Sequence, residues 1–136
     1  MQTFLPYPDF KQSAKCLDNK RLGKQRVEAF QILKALNNQS SGWRNHPAVL
    51  MWKDFETTLS MYMDCMIKEW INRGFNNTMK LSDKHTKLFP MWLGLEEFHA
   101  AHRSNLLRKD PIYYSQWGWT EPDNLPYFWP TKNGVE

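Results

Sequence analysis

Apolar side chains recur every three or four positions in three separate stretches of this chain. This is the periodicity of helices that bury one face. The repeating positions are Leu22, Ala29, Leu33 and Leu36 in the first stretch; Val49, Trp52, Phe55, Leu59, Met63, Met66, Trp70 and Ile71 in the second; and Leu95, Phe98, His102 and Leu106 in the third. The pattern predicts three main helices.

These stretches are flanked by residues that are typical of the beginnings and ends of helices. Asp18 is a suitable N-cap for the first helix. Pro47 suits the first position of the second helix and Gly74 follows its last, so this helix is predicted to run unbroken over residues 47–73. The third helix is predicted from about residue 93 to Lys109, before Asp110-Pro111.

The two ends of the chain do not have a helical pattern. Residues 1–9 include two prolines and predict an extended arm laid over the body, and Asp9 or Ser13 suits the cap of a short helical turn after it. The tail after the third helix carries many aromatic rings from Tyr113 to Trp129, broken by prolines and Gly118 at a density that predicts no helix. The expected fold is therefore all-α: one compact three-helix domain over residues 1–136, with an extended N-terminal arm and an irregular aromatic C-terminal tail.

Size and composition narrow the class of protein. A chain of 136 residues with 41% hydrophobic residues suits one domain with one core. Cys16 and Cys65 lie among apolar neighbours and predict reduced thiols in the core rather than a disulfide framework. The sequence has no recognisable signal peptide and no apolar stretch of transmembrane length, so no membrane partner is expected and the expected location is the cytoplasm.

The strongest functional signal is the charge pattern of residues 18–28. Four cations and almost no acidic groups occupy the predicted start of the first long helix, on a chain of net charge +4. Such a basic helix start indicates phosphate contact through Arg21, Lys24 and Arg26, and the alternative is a solvated helix end. Gly23 weakens this helix unless it permits the close approach of another backbone or of a phosphate.

A second polar cluster, Trp43-Arg44-Asn45-His46, precedes the predicted second helix. The N-terminus of a helix offers free N–H groups to an anion. Arg44 and His46 are therefore candidate phosphate ligands, and Trp43 is a candidate for stacking on a base. The alternative is a helix cap beside a packed tryptophan.

The third helix carries a further basic strip, from His102-Arg103-Ser104 to Arg108-Lys109, which predicts a second phosphate-facing surface. His99 and His102 share one helical face, but no third ligand has compatible spacing, so no metal site is predicted. In the tail, Tyr114 and Trp117 are candidates for stacking on unpaired or flipped bases. The alternative is a lid of aromatic rings over a small core.

Several of these segments together resemble a known family. Residues 45–47 lead into a long helix that ends in residues 72–76, Arg26-Val27 lies in the first long helix, and residues 107–114 precede an aromatic tail that contains glycine. In order and spacing these segments resemble the pyrimidine dimer DNA glycosylases of the phage endonuclease V type. The runs over residues 2–6 and 22–28 are similar to those of a divergent bacterial and phage branch usually grouped with that family.

The resemblance implies a compact three-helix protein whose N-terminal arm threads between the helices, with DNA as its partner and no cofactor. It also implies excision of a damaged pyrimidine by the chain's α-amino group, followed by backbone cleavage through a Schiff base. In that family a glutamate of the first long helix assists, and arginines and lysines hold kinked DNA. Arg26 matches one of those arginines, and Lys109 falls near a basic position of the third helix.

Two positions depart from the family pattern. Gln2 disfavours removal of the initiator methionine, so the free amine is expected to be that of Met1. Alignment through Arg26 places Gly23 where the family has its catalytic glutamate. The nearest carboxylates are Glu28 and Asp18, and both are candidate catalytic groups. The alternatives are helix capping by Asp18 and an ion pair of Glu28 with a lysine one turn earlier.

The leading hypothesis is therefore a DNA glycosylase and lyase that acts on a damaged or modified pyrimidine, with the amine of Met1 attacking C1′. One alternative is a phage or bacterial accessory factor that binds nucleic acid or protein and has lost the chemistry. Another is an enzyme acting on a free nucleotide. In that case the following residues would converge on one pocket: Asp18, Arg21, Gln25, Asn45, His46, His102 and Arg103. The sequence makes no prediction of oligomeric state.

Overall fold

The computed structural model describes residues 1–37, 45–131 and 134–135. Within them the helices are α1 (Phe10–Cys16), α2 (Asn19–Leu36), α3 (Pro47–Leu50), α4 (Glu56–Asn72), α5 (Glu96–Lys109) and α6 (Pro111–Tyr114), followed by a 3₁₀ turn, Ser115–Trp117. Two short strands, β1 (Pro130–Thr131) and β2 (Gly134–Val135), pair antiparallel, with Pro130 opposite Val135. The prediction of an all-α fold with three long helices is confirmed. Trp43 and Arg44 lie outside the described residues.

Helix α2 forms as the sequence predicts. The Asp18 side chain accepts a hydrogen bond from the Arg21 backbone N–H and caps the helix. Leu22, Ala29 and Ile32 are fully buried and pack α2 mainly against α4. The basic side chains therefore lie on the faces of α2 that the core does not use.

The prediction of one unbroken helix over residues 47–73 is wrong. The chain leaves the helix after α3 and passes Asp54 with a positive φ of 71° before α4 begins. In this turn the Met51 carbonyl accepts a hydrogen bond from the Trp92 indole N–H at 3.1 Å, and the buried Trp52 ring packs edge-on to Trp92. Contacts with a residue 40 positions away decide the break, and the apolar period continues across it.

Helix α5 begins at Glu96, three residues later than predicted, and its buried face holds the N-terminal arm. The backbone N–H of Leu5 donates to His102 Nδ1 at 2.9 Å, and the Leu5 carbonyl lies 2.7 Å from His99 Nδ1. Burial lowers the pKa of His102 to about 3, and the neighbouring His99 adds to this effect. The arm, extended as predicted, is thereby attached to α5 by two neutral imidazoles.

The C-terminal tail is more ordered than its prolines and glycine predict. Pro111 occupies the first position of α6, where its missing N–H is no loss, and the Asp110 side chain accepts from the Tyr113 N–H. The 3₁₀ turn ends at Gly118, whose φ of 72° suits glycine. The prediction that no helix forms here is wrong, because proline is tolerated in a first helical turn.

The two cysteines are free, as predicted. Cys16 is buried, and burial raises the pKa of its thiol to about 12, so the thiol stays protonated. Cys65 is only half-buried. In the part of the chain that the structure describes, no helix is long and apolar enough to cross a membrane.

Candidate active site

A cleft of about 400 Å³ opens where the N-terminal arm meets the first turns of α2. The start of α3, the end of α5 and the C-terminal segment complete its walls. Its lining residues are Met1, Gln2, Phe4, Lys20, Arg21, Lys24, Gln25, Glu28, His46, Lys109, Tyr127 and Trp129. Segments far apart in the sequence therefore contribute to one concave surface, which we call the N-terminal cleft.

Gln25 fixes the position of the arm in this cleft. Its Nε2 donates to the Gln2 carbonyl at 2.9 Å, and its Oε1 accepts from the Phe4 N–H at 2.8 Å. The Tyr62 hydroxyl lies 2.5 Å from the same Oε1 and 2.8 Å from the Phe4 carbonyl. Gln25 is only 1% exposed, so these bonds are shielded from water. The first residues of the chain are thus attached to α2 by one buried amide.

Glu28 lies one helical turn beyond Gln25 and faces the beginning of the chain. Its Oε2 accepts from Gln25 Nε2 at 2.9 Å, and the Gln2 N–H points to the same oxygen at 3.4 Å. The carboxylate therefore lies beside the first peptide bond. Its hydrogen-bond partners are the arm and Gln25 rather than Lys24, the lysine of the predicted ion pair.

His46 forms the opposite side of the cleft at the start of α3. Its Nδ1 accepts from the Ala48 N–H at 3.0 Å and caps the helix, and its ring packs edge-on to Trp129 at 5.9 Å. Burial lowers the pKa of His46, the positive N-terminus lowers it further, and Glu28 opposes the shift. The imidazole is therefore neutral at pH 7, with its proton on Nε2, and it feels the charges of both the amine and Glu28.

Four cations surround the cleft. Lys20, Arg21 and Lys24 come from the first two turns of α2, and Lys109 comes from the end of α5. The three lysines are exposed, whereas Arg21 is held by Asp18 at 3.2 Å. A cleft that is lined by the first residue of the chain, a carboxylate and four positive side chains can bind a polyanion and offer it an amine nucleophile.

Residues 1–83, more than half of the chain, match the family model described as pyrimidine dimer DNA glycosylase. The chain belongs to this family. Searches against curated proteins and solved structures found no match.

In this family member, the group that comes closest to Gly23 is a side chain rather than another backbone. A Cβ at Gly23 would lie 2.9 Å from the Trp70 ring. The ring is fixed in turn: it stacks on Phe75 at 4.3 Å, and Arg26 lies over it at 4.4 Å. The glycine of α2 is therefore required for the approach of a tryptophan from α4.

Arg26 lies outside the N-terminal cleft, on a shallow groove around Trp70. Three residues, Lys20, Lys24 and Glu28, line both the groove and the cleft. The Arg26 guanidinium donates to Asn77 Oδ1 at 2.7 Å, and burial lowers its pKa. It remains positive beside the cleft.

The prediction that the basic strip on α5 faces phosphate is wrong for three of its residues. His102, Arg103 and Ser104 are buried. Arg103 donates to the Pro6 carbonyl and forms ion pairs with Glu96 and Glu121. Its charge is neutralised within the fold, so it does not face a phosphate.

The stacking candidates of the tail do not line the cleft. Tyr114 is fully buried, stacks on Trp119 at 5.6 Å and donates its hydroxyl proton to Asp18, so no base can reach its ring. Trp117 is 38% exposed and packs beside Tyr113, but it is not among the described residues that line the cleft.

Asp18 acts as the cap of α2 and is likewise absent from the described lining. Burial raises its pKa, but hydrogen bonds from Tyr114 and Arg21 outweigh this effect and leave the pKa lowered. The convergence expected of a nucleotide-acting enzyme also fails, because Asp18, His102 and Arg103 lie elsewhere. No group of three potential metal ligands occurs among the described residues.

Sequence reasoning missed five residues that line the cleft: Gln2, Phe4, Lys20, Tyr127 and Trp129. Lys20 was predictable, since it lies four positions before Lys24 on the same face of α2. The sequence did not indicate Tyr127 and Trp129, because only the return of the C-terminal segment to α3 brings them to the cleft.

Proposed function

We propose that the N-terminal cleft is the active site of a DNA glycosylase with an associated lyase step, acting on a damaged or modified pyrimidine. The observation that carries this proposal is that Met1 and Glu28 both line one cleft with four cations, with the Gln2 N–H 3.4 Å from Glu28 Oε2. Family membership over residues 1–83 supports the same reaction class. The Glu28 carboxylate takes the role of the family's catalytic glutamate, whose aligned position in this chain is Gly23.

In the first step the neutral Met1 nitrogen attacks C1′ of the deoxyribose. A C–N bond forms, the bond from C1′ to the pyrimidine breaks, and its electron pair leaves with the base, which takes up a proton. Glu28 accepts the proton that the amine loses. A carboxylate within reach of both the arm and the sugar suits this transfer.

In the second step Glu28 gives the proton that it took from the amine to O4′ as the sugar ring opens, which leaves an iminium ion between C1′ and Met1 and makes Glu28 a carboxylate again. Glu28 then removes a proton from C2′, the bond from C3′ to its oxygen breaks, and the 3′ phosphate leaves. Water hydrolyses the remaining imine and restores the amine. His46 lines the same cleft, and its neutral imidazole feels the charges of both the amine and Glu28.

Binding rests on phosphate contact by Lys20, Arg21, Lys24 and Lys109, with Arg26 on the adjoining groove. Each phosphate neutralised on duplex DNA lowers the slope of log affinity against log salt by about 0.9. Four to five contacts correspond to a slope of about −4. Arg103 is not part of this set, because Glu96 and Glu121 already pair with it.

The test is borohydride trapping on duplexes that carry an abasic site, uracil, an oxidised pyrimidine or a cyclobutane dimer. We expect a covalent protein–DNA adduct with at least one of these. A protein extended by one residue before Met1 and the variant Glu28→Gln should both lose it. Glu97→Gln, at an exposed acid on α5 outside the described lining, is the matched control and should retain it.

Absence of any adduct and of any strand cleavage across the panel would overturn the proposal. Salt-dependent DNA binding without a product would then support the alternative of a binder that has lost the chemistry. The absence of a carboxylate at Gly23 is the observation that favours this alternative.

A further inference from the structure

We propose that Tyr127 and Trp129 form the surface on which a single unstacked pyrimidine base of the substrate lies. This inference rests on the proposed function and names the substrate unit that the cleft accepts. Both residues lie outside residues 1–83, the part of the chain that the family model matches. They also differ from Tyr114 and Trp117, the rings that the sequence singles out.

The two rings form one wall of the N-terminal cleft. Their centroids are 5.6 Å apart and their planes are inclined by 32°. Tyr127 is 39% exposed, which leaves ring surface open to a ligand, whereas Trp129 is half-buried and packs edge-on to His46. Trp129 is therefore held in place by α3, and Tyr127 extends the aromatic wall outward.

The other walls present different chemistry. Lys20, Arg21 and Lys24 lie on the first two turns of α2, and Met1 lies with Glu28 where the arm meets the third turn of that helix. The three surfaces match the three parts of a nucleotide: an aromatic wall for the base, cations for the phosphate, and the reacting amine and carboxylate for the sugar.

The size of the recess indicates whether the nucleotide that binds there is stacked in a duplex or unstacked. A volume of about 400 Å³ is in the range of small-molecule sites, and five segments of the chain line it. A base inside a stacked duplex cannot touch the aromatic wall while its sugar touches the amine. Enzymes that act on a base solve this by taking one nucleotide out of the stack and holding it on aromatic side chains.

The experiment measures affinity rather than reaction, in the Glu28→Gln background so that no product forms. Fluorescence anisotropy compares a single-stranded oligonucleotide with a central pyrimidine against the same strand with tetrahydrofuran at that position. Stacking on aromatic side chains predicts roughly 10-fold tighter binding of the strand that carries the base. Tyr127→Leu and Trp129→Leu should each bring the two affinities together, and Tyr127→Phe should keep the difference.

Trp117→Leu is the matched control, since it removes an exposed ring of the same tail, and it should keep the difference. The salt dependence of binding should be unchanged in all variants, because the phosphate contacts remain. Circular dichroism melting shows whether Trp129→Leu still folds. Tyr127→Leu tests the same surface at an exposed side chain, whose replacement leaves the core intact.

Equal affinities for the two strands in the parent protein, or a difference that survives in Tyr127→Leu and in folded Trp129→Leu, would overturn the inference. Either result leaves trapping of the covalent adduct untouched. Conversely, a base-dependent affinity without trapping supports the aromatic surface and overturns the proposed chemistry, so the two failures are distinguishable.

Discussion

Replacement of Gln25 by leucine is expected to destabilise the protein more than any other single change on the face of α2 that meets the arm. Leucine is similar in size but cannot hydrogen-bond. The Phe4 N–H and the Gln2 carbonyl, both buried, would lose their partners. Each buried polar group left unsatisfied costs about 1–3 kcal/mol, so the expected loss in the free energy of unfolding is about 3 kcal/mol. The Tyr62 hydroxyl retains the Phe4 carbonyl and adds little.

Urea unfolding followed by tryptophan fluorescence measures this loss. Gln31→Leu is the matched control, because Gln31 is an exposed glutamine of the same helix, and its effect should stay below about 0.5 kcal/mol. Trapping by Gln25→Leu should also fall under conditions where the variant is folded, since the arm and Glu28 lose a common partner. Equal unfolding free energies for the two leucine variants would refute this account of the arm.

Three further predictions concern stability and binding. Gly23→Ala should destabilise the protein by about 1 kcal/mol, because the added Cβ meets the Trp70 ring, despite the better helix propensity of alanine. In a Trp70→Leu background the same change should be stabilising, and a double-mutant cycle in urea measures the difference. The pKa of His102 is about 3 in the folded state and near 6.5 in the unfolded state, so the unfolded state binds the proton first as the pH falls. The free energy of unfolding should therefore decrease by about 2 kcal/mol from pH 6.5 to pH 5. His102→Asn should flatten this pH dependence, and an unchanged slope would contradict the assignment. Lys24→Gln should make the negative slope of log affinity against log salt shallower by about 0.9, because one phosphate contact is lost. Lys53→Gln, at a lysine outside the described lining of the cleft, should leave the slope unchanged.

The three long helices were predictable because their apolar residues keep helical spacing and because their caps are local. Asp18 is the clearest case, since a cap acts on a residue three positions away. The break before α4 was not predictable, because it depends on packing between Trp52 and Trp92, which are 40 positions apart. A helical period continues through such a turn without a change in the sequence pattern.

The site was partly predictable for the same reason. Arg21, Lys24 and Glu28 lie on one helix, so their proximity follows from helical spacing. The prediction for Arg103 failed because one of its partners, Glu121, becomes a neighbour only when the tail returns to α5, while the other, Glu96, lies two turns earlier on α5 itself. Sequence alone gives the charge of a side chain but not whether the fold has already neutralised it.

The measurement that tests the central claim most directly is the position of the covalent adduct. The borohydride-trapped complex is digested with protease and nuclease, and mass spectrometry locates the residue that carries the sugar. The account predicts the adduct on the α-nitrogen of Met1. An adduct on a lysine side chain such as Lys20 or Lys24, with Met1 unmodified, would contradict it.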